Sequence, residues 1–247
     1  MSLDPTLIAV IIAALVAGLV RGFSGFGAGM IFMPIAAATV GPLIAAAGFL
    51  ILDNILSLPL LVRAVSRCDW RTVLPAIIGA ILTVPVGAAI LATADPVLLR
   101  WGLSAIVVAL LALLMSGWRY SGKPHAAVSF GAGGTAGILS GTAQIGGPPM
   151  VAFWIAGPFK PAIIRANIIV FFGGSGLAAT IAYLWAGIFS RGAIEIAVIL
   201  TPVYALALFA GSRMFGLASE RLYRRIAYSV IALAVITSLP VLDDLLR

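Results

Sequence analysis

The sequence predicts an all-α polytopic membrane protein of two inverted-topology repeats, each with a Gly-rich broken or re-entrant helix pair plus three transmembrane helices. Three observations predict it. First, the 247-residue chain is 62% hydrophobic and only 9% charged, more apolar surface than a soluble domain of this size can hide. Second, two breaks rich in glycine interrupt apolar segments at matching places. One runs Arg21, Gly22, Phe23, Ser24, Gly25, Phe26, Gly27, Ala28, Gly29; the other runs Ser140, Gly141, Thr142, Ala143, Gln144, Ile145, Gly146, Gly147, Pro148, Pro149. Third, the basic side of the connections switches between the halves.

The elements follow in order. Apolar segments over 5–20, 28–40, 42–62, 72–92 and 97–115 form a first repeat within residues 1–120. Segments over 126–139, 149–158, 161–186, 192–215 and 222–242 form a second within 121–247. A hydrocarbon core of about 30 Å needs about 20 helical residues. The third to fifth segments of each half meet that length. The first are marginal, and the second are short enough to be half-helices or re-entrant arms. Gly18, Gly22, Gly27 and Pro42 map onto Gly137, Gly141, Gly146 and Pro161 at one constant interval. The segment over 5–20 lacks a basic leader and a small-residue cleavage site, so it reads as a span rather than a signal peptide.

Charge sets the orientation. After the third segment the first half carries Arg63, Arg67 and Arg71; the second carries Arg191 with Glu195. After the fourth segment the first half carries Asp95 and Arg100; the second carries Arg213, Arg221, Arg224 and Arg225 with Glu220. By the positive-inside rule, equivalent loops lie on opposite faces and both termini lie outside. Each half then crosses an odd number of times, as three crossings plus a re-entrant hairpin or as five. The expected location is the cell membrane.

Composition also excludes. Fifteen Lys and Arg against eight Asp and Glu give a net charge of +7. This excess sits in connections, where it reports topology and headgroup contact, and no soluble basic stretch is present for a nucleic acid. A single cysteine, Cys68, and a single histidine, His125, leave no disulfide and argue against a metal site or an enzymatic nucleophile–base pair. No cofactor is expected.

Paired breaks of this kind, one per half, point to a secondary-transporter binding site. Their breaks and layout resemble the duplicated signature of the TauE/SafE family, carried by Gly22, Phe23, Ser24, Gly25, Phe26, Gly27, Ala28 and Gly29 with Pro34. Its second copy is Gly137, Ile138, Leu139, Ser140 and Gly141 with Gly146, Gly147, Pro148 and Pro149. The resemblance covers nearly the whole chain. It implies that the cargo is sulfite, sulfoacetate or another organosulfonate, while the inverted-repeat layout itself points to alternating-access transport; a carboxylate is the rival substrate and a passive anion channel the rival mechanism.

Each break is followed by a short helix whose unpaired N–H groups and positive dipole end suit an anion. The substrate contacts expected on this basis are Arg21, Ser24, Gly25, Gly27, Gly29, Thr142, Gln144, Gly146, Gly147, Arg165 and Asn167. The competing roles are tight helix packing for the glycines, backbone satisfaction for the hydroxyls, interface anchoring for Arg21 and snorkelling for Arg165. Asp53, mid-segment beside Asn54, is an expensive charge. It reads either as a coupling residue for a proton or sodium, with Asn54, or as a structural partner of an arginine. It maps onto Phe172, which is no acid. The five tryptophans read mostly as an interfacial belt. So small a bundle is also compatible with a homodimer.

Overall fold

A computed structural model describes residues 5–116, 125–155, 157–215 and 232, and every described element is a helix. Apart from residue 232, the segment expected over 222–242 lies outside the described residues, as do the charges from Glu220 to Arg225 and Arg119, Lys123 and Trp118. The helices are α1 (Pro5–Ser24), α2 (Ala28–Val40), α3 (Pro42–Leu56), α4 (Leu58–Val65), α5 (Trp70–Thr93) and α6 (Pro96–Met115). After the central connection come α7 (Ala126–Ala143), α8 (Gly147–Ile155), α9 (Pro161–Trp185) and α10 (Arg191–Met214).

Local chemistry sets the ends. Pro42, Pro96 and Pro161 start α3, α6 and α9, where a missing N–H costs little. Asp95 caps α6 by accepting from the Val97 and Leu98 amides at 2.9 and 3.0 Å, and Ser190 caps α10 through the Ala193 amide at 3.2 Å. Gly25 and Gly27 at φ 81° and 87° end α1 and open α2, a backbone other residues adopt at a cost.

The third segment departs from the expectation of one straight span. Ser57 separates α3 from α4, and their axes bend by 54°. Pro59 explains it: it has no N–H to donate, and its ring clashes with the carbonyl one turn earlier, at Ile55. Its counterpart α9 runs unbroken for 25 residues.

Five helices, or six with α3–α4 counted as one bent span, are long and apolar enough to cross a membrane. α2 has 13 residues and α8 has nine, about 20 and 14 Å at helical rise, so neither crosses alone. Their burial is of a different kind from that of the spans. Nine residues of α2 are buried, on all sides of the helix, whereas α5 and α10 turn Leu82, Val86, Val198 and Leu206 outward. An apolar outer surface around a short buried helix is what a bilayer solvent selects.

The principal contacts are α5 on α7 and α1 on α10, both made by glycines. A Cβ at Gly22 would lie 2.1 Å from the Leu208 carbonyl oxygen, and one at Gly211 would lie 2.2 Å from that of Leu19. The other pair matches: Gly141 meets the Val84 carbonyl oxygen at 2.3 Å and Gly87 meets that of Ile138 at 2.3 Å. The packing role weighed for the break glycines is thus what Gly22 and Gly141 do, and Gly18 and Gly137 pack in the same way. The contact order also gives direction. Gly18 sits on Tyr204 and Gly22 on Leu208, so α1 and α10 run parallel, and Gly137 on Ala80 with Gly141 on Val84 does the same for α7 and α5. Asn54 meets Gly176 while Leu61 meets Gly173, so α3–α4 runs antiparallel to α9.

Trp154 is a correction to the belt. It is fully buried on α8 and donates from Nε1 to Thr72 Oγ1 at 3.1 Å. Trp185, 87% exposed at the end of α9, fits the belt.

Candidate functional site

The two breaks meet. A Cβ on Gly29, in the first turn of α2, would stand 2.0 Å from the carbonyl oxygen of Gln144, the residue ending α7. Gln144 reaches that position in the left-handed conformation, at φ 58°, which is rare outside glycine and asparagine. Its Nε2 donates to Tyr183 Oη at 3.2 Å, and Tyr183 donates to the Gly141 carbonyl at 2.7 Å, so the end of α7 is tied to α9.

Between the breaks lies a small, partly open recess with a cavity volume of about 20 Å³. Its polar wall is Arg21 and Asp53. Gly27 to Met30 bring the start of α2 to it, and Gly147 and Pro148 bring the start of α8; Phe26, Phe49 and Phe172 close its apolar side. The two helix starts are chemically unequal. α2 begins Ala28, Gly29, Met30, all with amide protons, whereas Pro148 and Pro149 remove two of the four donors that α8 would otherwise present.

Arg21 and Asp53 form a bidentate ion pair: Nε to Oδ1 at 2.9 Å and Nη2 to Oδ2 at 2.8 Å, with side chains 5% and 14% exposed. A buried charge survives only when paired and hydrogen-bonded, and here the pairing is dense. Oδ1 also accepts from Tyr204 Oη at 2.6 Å and Ser57 Oγ at 3.1 Å. Nη1 of Arg21 donates to the Gly25 carbonyl, and the guanidinium lies 4.7 Å from the Phe172 ring centroid. Of the two readings of Asp53, partnership with an arginine is therefore present, and the pair also faces the recess. Tyr204→Phe is expected to destabilise the purified protein by about 1.5–3 kcal/mol, the worth of a hydrogen bond to a charged group, seen as a lower melting temperature in detergent.

Arg21, Gly27, Gly29, Gln144, Gly147 and Asp53 thus line one space. The remaining expected residues lie elsewhere. Ser24 Oγ donates to the Val20 carbonyl one turn back on α1 at 2.8 Å and accepts from the Phe26 amide at 3.2 Å. Gly25 faces Ile169 and Arg165. Thr142 donates to Ile138 O at 2.9 Å, along its own helix. Gly146 packs on Ser140 and Ala136. Arg165 donates from Nε to the Phe23 carbonyl at 2.9 Å and from Nη2 to that of Gly22, a cation on the C-terminal end of α1. Its guanidinium also covers the Phe215 ring at 4.5 Å. Asn167 is fully buried and accepts the Asp69 amide at 2.7 Å. Asn54 donates to the Gly176 carbonyl and to Thr180 Oγ1, both at 3.1 Å, bracing α3 against α9.

Sequence reasoning missed Tyr204 and Ser57. Ser57 was visible as the residue one turn after Asp53, on the same helix face. Tyr204 had only a phenol in the middle of an apolar run as its signal.

Residues 10–238 match the family described as sulfite exporter TauE/SafE. A protein of Cupriavidus necator strain H16, described as a probable sulfite/organosulfonate exporter TauE, is 29% identical over an alignment of 222 residues, with 84% of each chain covered. No solved structure matches the chain. The matched region takes in both breaks and the recess between them, and on that match the chain belongs to the TauE/SafE family of sulfite exporters, a family of membrane transporters.

Proposed function

We propose that this protein is a secondary transporter that carries a small sulfur-containing anion across the cell membrane by alternating access, with the anion bound in the recess between the two breaks. The observation that carries the reading is the bidentate Arg21 facing that recess. A guanidinium fork matches two oxygens of a sulfite or sulfonate, and α2 aims its amide-rich start at the same space. The apolar wall of Phe26, Phe49 and Phe172 suits the carbon side of an organosulfonate. The Cupriavidus relative's description names sulfite and organosulfonate, which supports sulfur over other small anions.

Residues 1–120 and 121–247 act as two inverted repeats in this reading. The antiparallel course of α3–α4 against its counterpart α9 supports it, as do the matched glycine contacts of α1 on α10 and α7 on α5. Rocking one repeat against the other around the recess exposes the anion to each face in turn.

Orientation has its own test, because the chain has one cysteine. Cys68 lies between α4 and α5, on the side that the charges place inside. A membrane-impermeant maleimide added to intact cells is expected to leave it unmodified and to label it after permeabilisation. Burial pushes the thiol above its ordinary value, with Asp69 adding to the rise against a backbone hydrogen bond. Labelling therefore accelerates as pH is raised into the alkaline range, where the thiolate forms. Labelling from outside would turn the topology over.

Transport is tested with purified protein in liposomes and radiolabelled sulfite and sulfoacetate. Saturable uptake, accelerated by the same anion on the far side, is the expected result. Saturable flux of a carboxylate alone would keep the carrier and remove sulfur. Non-saturable flux without trans-acceleration would mean a channel.

A further inference from the structure

We propose that Arg21 is a shared ligand: the transported anion and the Asp53 carboxylate take turns on it, and Asp53 holds a proton while the anion is bound. One proton then crosses with each univalent anion, and the cycle moves no net charge. The proposal rests on the reading that the anion enters this recess, and it names the coupling ion.

Three features carry it. The first is charge. Among the described residues, the titratable groups facing Asp53 are Arg21 from α1 and Tyr204 from α10. α2 and α7 carry no titratable side chain; on α9, Arg165 and Tyr183 donate to the carbonyls of residues 22, 23 and 141. Arg63 on α4 and Arg71 on α5 are exposed near helix ends, and Arg100 lies in the first turn or so of α6. Among the described residues, one buried cation therefore balances one carboxylate, with the half-buried Arg165 committed to the end of α1. An added anion would leave an uncompensated buried negative charge, which a low-dielectric site disfavours strongly. A proton on Asp53 restores neutrality.

The second feature is the proton's place. Oδ1 already accepts from Arg21, Tyr204 and Ser57, whereas among the described residues the one polar contact of Oδ2 is Arg21 Nη2. When the anion takes Nε and Nη2, a proton from the open aqueous side bonds to Oδ2. Tyr204 and Ser57 keep hold of Oδ1, so the neutral acid stays in position. On the other face, the anion leaves, the proton returns to water and the carboxylate closes again on Arg21.

The third feature selects a proton over sodium. A sodium ion needs several oxygen lone pairs converging on it. The groups around this carboxylate are a guanidinium, which repels a metal cation, and two hydroxyls whose protons already point at it; a proton needs only one lone pair, which Oδ2 offers once Arg21 turns to the anion. Asn54, the other candidate sodium ligand, is committed to α9.

The test uses the purified full chain in liposomes with a lumenal pH dye and methanesulfonate, which carries no proton of its own at working pH. With no pH gradient imposed, an inward methanesulfonate gradient is expected to acidify the lumen. Its rate should not change when a potassium–valinomycin potential is applied, and apparent affinity should rise as pH falls. Asp53→Asn mimics the protonated acid. It is expected to retain anion–anion exchange while net efflux falls at least roughly tenfold, because the empty carrier must return with Arg21 unpaired. It moves no protons. Saturable methanesulfonate or sulfite flux without acidification, or flux driven by potential, would overturn the proposal while leaving the carrier intact. Sodium-dependent flux would do the same. No flux of any anion would instead remove the carrier reading, and this inference with it. If Asp53→Asn yields no folded protein, the wild-type dye and potential measurements decide the matter.

Discussion

Arg21→Gln is expected to abolish anion flux and to destabilise the protein by about 3–5 kcal/mol, the cost of leaving one member of a buried ion pair without its partner. The abandoned group is Asp53, 14% exposed, which keeps only the Tyr204 and Ser57 hydroxyls. Asp53→Asn leaves the opposite charge, and the contrast between the two variants is informative. An unpaired Arg21 beside the recess is an anion site without its competitor. Added sulfite or methanesulfonate is therefore expected to raise the melting temperature of Asp53→Asn in detergent, by mass action on the folded state. The same additions should do nothing for Arg21→Gln. The double variant Arg21→Gln with Asp53→Asn should recover much of the lost stability, since neither charge is buried alone, and should still carry nothing. Recovery of flux in the double variant would show that the pair only holds α1 to α3. Equal anion stabilisation of all three proteins would place the anion elsewhere.

Much of the helical frame is legible in the sequence because a bilayer leaves few choices. Proline at 42, 96 and 161 and the glycines around residues 25–27 mark ends that physics makes cheap, and the ranges for α2 and for the starts of α3, α7 and α9 match the expectation. The bend at Ser57 was less legible: Pro59 sits inside an apolar run that hydropathy alone reads as continuous. The partner of Asp53 was a different matter. The cost of a mid-span acid demands some donor. Which one depends on how α1 packs against α3, and no local pattern in the chain encodes a contact between residues 32 apart on different helices. Asn54 illustrates the converse. Adjacency in sequence suggested a shared role with Asp53, but neighbours on a helix point about 100° apart, and Asn54 turns to α9 instead. Arg165 and Asn167 looked like ligands because they are polar and deep; Arg165 donates to backbone carbonyls and Asn167 Oδ1 accepts a backbone amide, a demand that broken helices create and that composition does not reveal.

Gly29→Ala should be among the most damaging single-methyl changes in the chain. The added Cβ would stand 2.0 Å from the Gln144 carbonyl oxygen and 2.9 Å from its carbon, both backbone atoms that cannot swing aside. Gln144 is held from behind: its side chain is bonded to Tyr183, and its own left-handed backbone allows little adjustment. The clash must therefore be relieved by moving the start of α2 away from the end of α7. That widens the contact between the two breaks on which the recess depends. Overpacking of this kind typically costs about 1–3 kcal/mol. The larger effect should fall on flux, because a shift of about 1 Å at a binding constellation can cost about a hundredfold in rate. Gly102→Ala and Gly131→Ala are the matched controls, since a Cβ at either position meets nothing within 4 Å. Both should fold and transport like the parent, and alanine should even favour the helix slightly. Flux and melting temperature measured side by side separate the outcomes. A Gly29→Ala protein that melts near the parent temperature but carries anion far more slowly would put the function in the contact between the breaks. One that transports normally would mean the breaks part without consequence, and the recess between them would lose its claim to be the site.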